Sequence, residues 1–268
     1  MRARWPLVLV LALAGCDAPV DDDDGGPAPT PPPDEPVGCD PLSLTEEQVC
    51  DDGRNAEGFA ADQVFCPEFW ASIDLDDGWD TLSSRWTMDF TAVQPAAVLD
   101  HWEYRNIQGE ALTADLPVDV IVSIGTPCAT AADPVACADA LAALRPVDGF
   151  VSGCAPTGCT ADSLAWSAGD SVGAVTDAAS MAAFLGAVDS LPDALLLASA
   201  SVPGFGWSTG DLMQGAAREV ADGWEIVGSV PVWSAPYRSD ALRLHVATDG
   251  TVTVEDRALA ALDCGVEL

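Results

Sequence analysis

The alternation of apolar and polar residues around a glycine turn near the end of the chain constrains the fold most strongly. Apolar residues occupy every second position on both sides of Asp249-Gly250, namely Leu242, Leu244, Val246, Val252 and Val254. A three-residue loop, Thr248-Asp249-Gly250, pairs Val246 with Val252 and keeps all of these side chains on one face, whereas a two-residue loop separates them. The three-residue loop needs a left-handed residue at its end, and Gly250 supplies it.

Further alternation before this hairpin predicts a four-stranded meander. On its polar face we expect His245 opposite Thr253 and Arg243 opposite Glu255. Ala221-Asp222-Gly223 is a second three-residue turn that ends in glycine, and it predicts that Val220 lies opposite Trp224. Residues 216–258 are therefore predicted to form an antiparallel β-meander, with strands at about 216–220, 224–230, 241–247 and 251–257.

Three further strand regions are predicted before the meander. The first follows from alternation over Trp86, Met88, Phe90 and Ala92, which indicates one buried face. The continuous apolar run from Val118 to Ile124 is typical of a strand covered on both faces. Leu164–Ala168 and Ser171–Val175 flank Gly169-Asp170 and predict a hairpin.

Three helices are predicted as well. Asp133-Pro134 provides a cap and a first-turn proline, followed by an apolar stripe of Val135, Ala138, Leu141 and Ala142. A second predicted helix has an apolar side formed by Met181, Phe184, Leu185 and Val188. Ser190 and Asp193 resemble a capping box for a third helix that runs through Ala200. Strands, helices and a terminal meander favour the α+β class over alternating α/β.

The cysteine count predicts a disulfide-stapled domain. Besides Cys16 there are eight cysteines, and an even number in an exported chain implies up to four bonds; they are Cys39, Cys50, Cys66, Cys128, Cys137, Cys154, Cys159 and Cys264. We expect two local bonds, Cys128–Cys137 and Cys154–Cys159. If all eight pair, one of the first three must bond elsewhere, most simply to Cys264. Neither the spacing nor the two histidines fit a zinc site.

The amino terminus has the features of an export signal. Two arginines precede the apolar run Trp5–Ala12, which is too short to span a bilayer, and Leu13-Ala14-Gly15-Cys16 follows. Over these first 16 residues the chain resembles the type II signal peptides of bacterial lipoproteins, whose lipobox ends in cysteine. The resemblance implies that residues 1–15 are the signal peptide. It also implies that Cys16 is the lipidated first residue of the mature protein, held at the membrane by its acyl chains.

Charge and composition define the segment after the lipobox and exclude some partners. Residues 16–38 form an acidic, proline-rich tether with little to pack. Residues 38–268 hold 8 of the 10 arginines and 36 of the 43 acids, which gives a formal charge of −28 without any lysine. This balance excludes nucleic acid as a partner and a basic patch for anionic lipid. The membrane contact is therefore expected through the lipid on Cys16 alone.

One motif suggests a catalytic alternative. Gly206-Trp207-Ser208-Thr209-Gly210 matches the G-x-S-x-G pattern of the α/β-hydrolase nucleophile elbow. The order Ser…Asp…His is completed by Asp240 and His245. However, the preceding loop is too loose for a strained strand-to-helix turn, and His245 falls inside an alternating strand. The competing interpretation is a glycine-rich loop between a helix and the meander.

Two binding alternatives remain. An irregular calcium loop is suggested by a cluster of acids, although Gly78 does not stand where an EF-hand requires it; the candidate ligands are Asp74, Asp76, Asp77 and Asp80. Exposed tryptophans stack against sugars, which suggests glycan binding, but tryptophan is more often a core residue; those in the first half are Trp70, Trp79, Trp86 and Trp102. Calcium is the one cofactor that the sequence suggests. His101 has no partner at a recognisable spacing, and we expect it to be either satisfied by hydrogen bonds or exposed.

The leading hypothesis combines these observations. Residues 39–268 are predicted to form a single α+β domain of unknown function, with a Cys-rich first segment at 39–80 and the meander packed on two or three helices. We expect a membrane-anchored lipoprotein of the bacterial cell envelope, on the inner or outer membrane, with the domain outside the cytoplasm. Its role is expected to be non-enzymatic, in binding or as a structural component, with a protein or glycan partner left open. The alternatives are the serine hydrolase and a calcium- or glycan-binding surface domain.

Overall fold

A computed structural model describes residues 78–82, 88–113, 115–145, 149–155, 158–207, 215–232 and 237–263. Within these ranges the chain is α+β, with two antiparallel sheets and three α-helices. In chain order the elements are β1 (Asp80–Thr81), β2 (His101–Gly109), β3 (Val118–Gly125), α1 (Pro134–Ala143), β4 (Val151–Ala155), β5 (Gly158–Ala168), β6 (Ser171–Val175), α2 (Ala178–Leu185), α3 (Leu191–Ser201), β7 (Ala216–Val220), β8 (Gly223–Val232), β9 (Tyr237–Ala247) and β10 (Val252–Asp263).

The first sheet contains the predicted meander, with strand order β1-β7-β8-β9-β10. Val246 lies opposite Val252 and His245 opposite Thr253, so the three-residue loop is confirmed. Gly250 has a φ of 86°, the left-handed conformation that this loop requires.

Two pairings of the predicted meander are wrong. A bulge between Val254 and Asp256 places Arg243 opposite Asp256 instead of Glu255. Val220 lies opposite Gly223 instead of Trp224, because the turn uses only two residues between the strands. Both errors are shifts of one residue. An alternating pattern strongly specifies which face of the sheet a residue occupies, but it specifies bulges and turn length only weakly.

The second sheet has the strand order β3-β2-β5-β4, with β6 also paired to β5. β5 is eleven residues long, and its first half pairs with β4 while its second half pairs with β6. The predicted hairpin at Gly169-Asp170 is confirmed, since Ala168 lies opposite Ser171.

Two strand predictions are corrected. β3 is not covered on both faces, since Val120 is 49% exposed and Asp119 and Ser123 are exposed too. The strand lies at an edge of its sheet. Phe90–Ala92 is a 3-10 turn instead of part of a strand, since the Asp89 carboxylate accepts the N–H of Thr91 and so stabilises a turn. Trp86, from the same prediction, lies outside the described residues.

The helix starts are confirmed. Asp133 caps α1 by accepting the N–H of Ala136, and Ser190 caps α3 by accepting the N–H of Asp193. The apolar stripe predicted for α1 is wrong apart from Leu141: Cys137 is buried instead, and Val135 is 72% exposed. A disulfide and polar contacts, more than an apolar face, hold α1. In α2, by contrast, the predicted side is buried, and so is Val188 just beyond it.

The core joins residues of both sheets with α2 and α3. Phe184 of α2 packs edge-on against Trp102 of β2, with ring centroids 6.0 Å apart. α3 contacts β8, β9 and β10, and every residue from 193 to 199 is buried. A helix buried around its whole circumference has no need of an amphipathic pattern, which accounts for the run of leucine and alanine in α3.

Both predicted local disulfides are confirmed. Cys128 and Cys137 are bonded and connect the loop after β3 to α1. Cys154 and Cys159 are bonded across the β4–β5 hairpin, where they lie directly opposite each other. The remaining cysteines fall outside the described residues: Cys39, Cys50, Cys66 and Cys264.

Candidate functional site

The residues of the hydrolase alternative do not form a triad in the described part of the chain. Asp240 and His245 lie on the same strand, β9, an odd number of positions apart. Their side chains therefore point to opposite faces of the sheet, with Cα atoms about 17 Å apart at ~3.4 Å per residue. Ser208 lies outside the described residues.

Each of these two side chains has another partner. Asp240 is fully buried, and its Oδ2 accepts hydrogen bonds from Arg257, from Nε at 3.0 Å and from Nη2 at 2.5 Å. Nε2 of His245 lies 3.6 Å from Oδ2 of Asp222, in the turn before β8. The carboxylate that would orient a catalytic imidazole instead neutralises an arginine, so Asp240 has a structural role.

A buried polar cluster lies on β2 instead, formed by His101, Glu103 and Arg105; we call it the β2 cluster. Nε2 of His101 lies 3.2 Å from Oε2 of Glu103, and Nε of Arg105 donates to Oε1 of Glu103 at 2.6 Å. Alternate residues of a strand share a face, which brings the three side chains into one row. His101 and Arg105 are buried, and the Glu103 side chain is 12% exposed.

The arginine of the β2 cluster connects the sheet to α1. Its Nη1 donates to the carbonyl of Leu144 at 2.8 Å, and its Nη2 donates to the carbonyl of Leu141 at 3.0 Å. The last carbonyls of a helix lack the usual helical N–H partner, and here Arg105 adds a charged donor to the N–H of Leu144 that reaches Leu141. α1 is thus held on the second sheet at its carboxyl end.

The chemistry open to the β2 cluster is limited by its burial. A carboxylate that orients an imidazole is the arrangement used by general bases. Ser167 lies opposite His101 in the register, but it is fully buried and its Oγ accepts the N–H of Cys128 at 3.0 Å. His101 is only 1% exposed, although it contributes to the wall of an open cavity, and the contacts within the cluster support a role in packing.

The sequence contains a signal for this cluster. His101 is a satisfied, buried histidine, one of the two states expected for it, because Glu103 lies two positions away and Arg105 four positions away. Such spacing indicates a shared face once the segment is known to be a strand. The sequence patterns predict no strand at 101–109, and so they do not reveal the relationship.

Asp100 organises the loops beside the β2 cluster. Its carboxylate accepts the N–H of Thr130 at 3.1 Å, the Oγ1 hydroxyl of the same residue at 2.8 Å, and the N–H of Gly169 at 3.0 Å. Burial alone raises the pKa of Asp100, but these hydrogen bonds outweigh it and hold the pKa below its ordinary value. Asp100 therefore ties the loop before α1 to the β5–β6 turn.

The described residues give little support for the calcium-binding and glycan-binding alternatives. No group of three His, Cys, Asp or Glu residues among them is close enough to hold a metal ion. Asp80 belongs to β1, while its companions Asp74, Asp76 and Asp77 lie outside the described ranges. Trp79 and Trp102 are each only 3% exposed, so neither presents a face to a sugar. Trp70 and Trp86 lie outside those ranges as well.

A cavity of about 240 Å³ opens where β2 begins and β3 ends. Its wall includes the apolar residues Leu99, Trp102 and Ile124, the polar residues Asp100 and His101, and the loop that starts at Val93. None of the described helices is long and apolar enough to cross a membrane.

Comparison with known proteins gives no relative from which a role can be transferred. The chain matches no protein-family model, no curated protein and no solved structure. Its function has to be inferred from its own residues and geometry.

Proposed function

We propose that this protein is a lipid-anchored lipoprotein of the bacterial cell envelope. In this proposal the α+β domain lies outside the cytoplasm, on the inner or outer membrane, and acts in binding or as a structural component without catalysing a reaction. The meander packs against α3, and in this proposal the acidic tether at 16–38 joins the domain to the lipid on Cys16.

The observation that carries the proposal is the pair of disulfides, Cys128–Cys137 and Cys154–Cys159. Disulfides persist in oxidising compartments outside the cytoplasm and are rare inside it. This supports export, and the motif Leu13-Ala14-Gly15-Cys16 supplies the means of export and of anchoring. The formal charge of −28 on residues 38–268 leaves no electrostatic attraction to an anionic membrane, so a covalent lipid is the contact that fits.

The non-enzymatic role is supported by the buried polar groups. Asp240 is engaged by Arg257, and Glu103 by Arg105 and His101, so each of these carboxylates has a partner that accounts for its burial. These contacts support a structural role for both carboxylates.

Mass spectrometry of the protein extracted from membranes tests the proposal. We expect a mature chain that begins at Cys16 and carries two or three acyl chains. Cys16→Ser should abolish the added mass and release the protein from membranes, while Cys154→Ser should leave the acyl mass unchanged. A mature chain without acyl mass on Cys16 would contradict the lipoprotein assignment. Labelling with a fluorophosphonate that is lost in Ser208→Ala would contradict the non-enzymatic role.

A further inference from the structure

β3 is an edge strand with an apolar sequence. It pairs with β2 on one side and with no other strand among the described residues. Five of its eight residues are large and apolar, and the most exposed of them is Val120, at 49%; they are Val118, Val120, Ile121, Val122 and Ile124. An edge strand offers a row of unpaired backbone N–H and C=O groups to which another strand can add.

The surroundings of this edge are acidic. Between Gly109 and Gly125 the chain contains three acids and no arginine or lysine, and all three acids are exposed; they are Glu110, Asp115 and Asp119. Arg105, on the neighbouring strand, is buried and directed to α1. With a charge of −28 on residues 38–268, a second copy of the chain is repelled from this edge, whereas a cationic segment is attracted.

The cavity adjoins the carboxyl end of the same strand, because Ile124 and Gly125 form part of its wall. Its volume is about 240 Å³, and an apolar cavity of about 150 Å³ already accommodates benzene. One apolar side chain of an added strand therefore fits here. In strand addition, backbone hydrogen bonds supply affinity and pockets for alternate side chains supply specificity.

We propose that the exposed edge of β3 binds an extended, cationic segment of a partner protein by strand addition, with one apolar side chain of that segment in the cavity. The inference rests on the proposed binding role and names the partner's chemistry: alternating basic and apolar residues in a β conformation. Hydrogen bonds to β3 hold the segment, and its basic side chains lie near Asp119 and its neighbouring acids.

Binding of a synthetic probe to the full-length protein in detergent tests this. The probe is a blocked ten-residue peptide in which lysine alternates with valine, and the control peptide carries glutamate in place of lysine. We expect binding of the lysine peptide that weakens at high salt, no binding of the glutamate peptide, and slowed hydrogen exchange at 118–124. Absence of binding, or protection confined to other strands, overturns the proposal.

A matched pair of variants locates the site. Val120 is 49% exposed on β3, and Val254 is 50% exposed on β10, the edge strand of the other sheet. Val120→Lys and Val254→Lys change the net charge of the protein equally. A difference in peptide affinity between the two variants therefore reports an effect at the substituted strand. We expect at least a tenfold loss of affinity in Val120→Lys and none in Val254→Lys, and equal losses overturn the proposal.

The oligomeric state shows whether a second copy of the chain, instead of a partner segment, occupies the edge of β3. If the unliganded protein is a dimer that Val120→Lys dissociates, the edge binds a second copy and the proposal is wrong. None of these results depends on the acyl mass at Cys16, so the failure of this inference and the failure of the lipoprotein assignment are separate outcomes.

Discussion

Nε2 of His101 lies 3.2 Å from Oε2 of Glu103, two residues further along the same buried strand. The other oxygen of this carboxylate accepts a hydrogen bond from Arg105, whose guanidinium also binds the last carbonyls of α1. One row of side chains on β2 therefore connects the second sheet to the helix that covers it. Where apolar contacts under a helix are few, such a row determines whether the helix stays in place.

Arg105→Ala should destabilise the protein severely. The substitution leaves the largely buried carboxylate of Glu103 without the arginine cation and removes two hydrogen bonds, one to the carbonyl of Leu141 and one to that of Leu144. Breaking a buried ion pair on one side costs about 3–5 kcal/mol.

Urea unfolding of Arg105→Ala and of the control Arg145→Ala measures this cost. Arg145 donates to the carbonyls of Ala142 and Leu144 at the same helix end, but it is exposed and has no buried carboxylate to neutralise, so its loss should cost about 1 kcal/mol or less. Similar losses in the two variants would show that Arg105 does not anchor α1.

Asp100 should make the protein less stable in acid. Burial alone raises its pKa, but the hydrogen bonds from Thr130 and Gly169 outweigh burial and hold the pKa below the ordinary value. A lowered folded-state pKa contributes stability above the unfolded value of about 3.9, and that contribution is lost as the pH falls through the folded value. Asp100→Asn should therefore lower the melting temperature at pH 7, and its difference from the wild type should shrink as the pH falls below 4. Asp139→Asn, on the exposed side of α1, serves as the control and should match the wild type at both pH values.

The sequence is sufficient to predict local structure where turns and caps are chemically distinctive. Gly250 and the alternating valines around it predict the β9–β10 register, and Asp133-Pro134 predicts the start of α1. These predictions succeed because the energetic preference lies within a few neighbouring residues. The short loop between Cys128 and Cys137 likewise favours a local disulfide.

What the sequence does not predict depends on contacts between distant segments. The apolar run of β3 is the same whether the strand is central or at an edge, and only the sheet order β3-β2-β5-β4 reveals which. Arg105 and the carbonyls of α1 are more than thirty residues apart in the chain. The candidate site, formed by the exposed edge and the cavity beside it, arises from this tertiary arrangement, and no local pattern predicts it.

Asp193 should respond to pH in the opposite sense to Asp100. Burial raises the pKa of this carboxyl group, while hydrogen bonds from Ser190 oppose the rise. A raised folded-state pKa contributes stability below the unfolded value of about 3.9, and that contribution is lost as the pH rises through the folded value. Asp193→Asn keeps an acceptor for the Ser190 hydroxyl without a buried charge. We expect the variant to gain stability relative to the wild type as the pH rises from 3 to 7, as measured by urea unfolding. A relative loss over that range would contradict the expected titration.

The Cys128–Cys137 bond should contribute substantially to stability. It closes a loop with a sequence separation of 9 and fixes the start of α1, where Val135 is exposed and provides no packing. Closing such a loop stabilises by about 2–4 kcal/mol. The double variant Cys128→Ser/Cys137→Ser should lose stability in this range in urea unfolding. Because the Cys154–Cys159 hairpin is already paired through its backbone, Cys154→Ser/Cys159→Ser should lose less, and the reverse order would contradict this explanation.

The conformation of Gly250 gives the most local prediction. Its φ of 86° is the left-handed region, and a Cβ at this position meets only Leu197 Cδ2, at 3.6 Å, which is an ordinary contact. Gly250→Ala should therefore lose about 1–2 kcal/mol, the cost of a left-handed residue that carries a Cβ, without any steric clash. Gly250→Asn should lose less, since asparagine tolerates this conformation better.

Gly206→Ala is the matched control, because Gly206 has no positive φ and no atom lies within 4 Å of the position that a Cβ would take there. This control should be close to neutral in urea unfolding. An equal loss in Gly250→Ala and Gly206→Ala would mean that the β9–β10 turn does not depend on the left-handed residue.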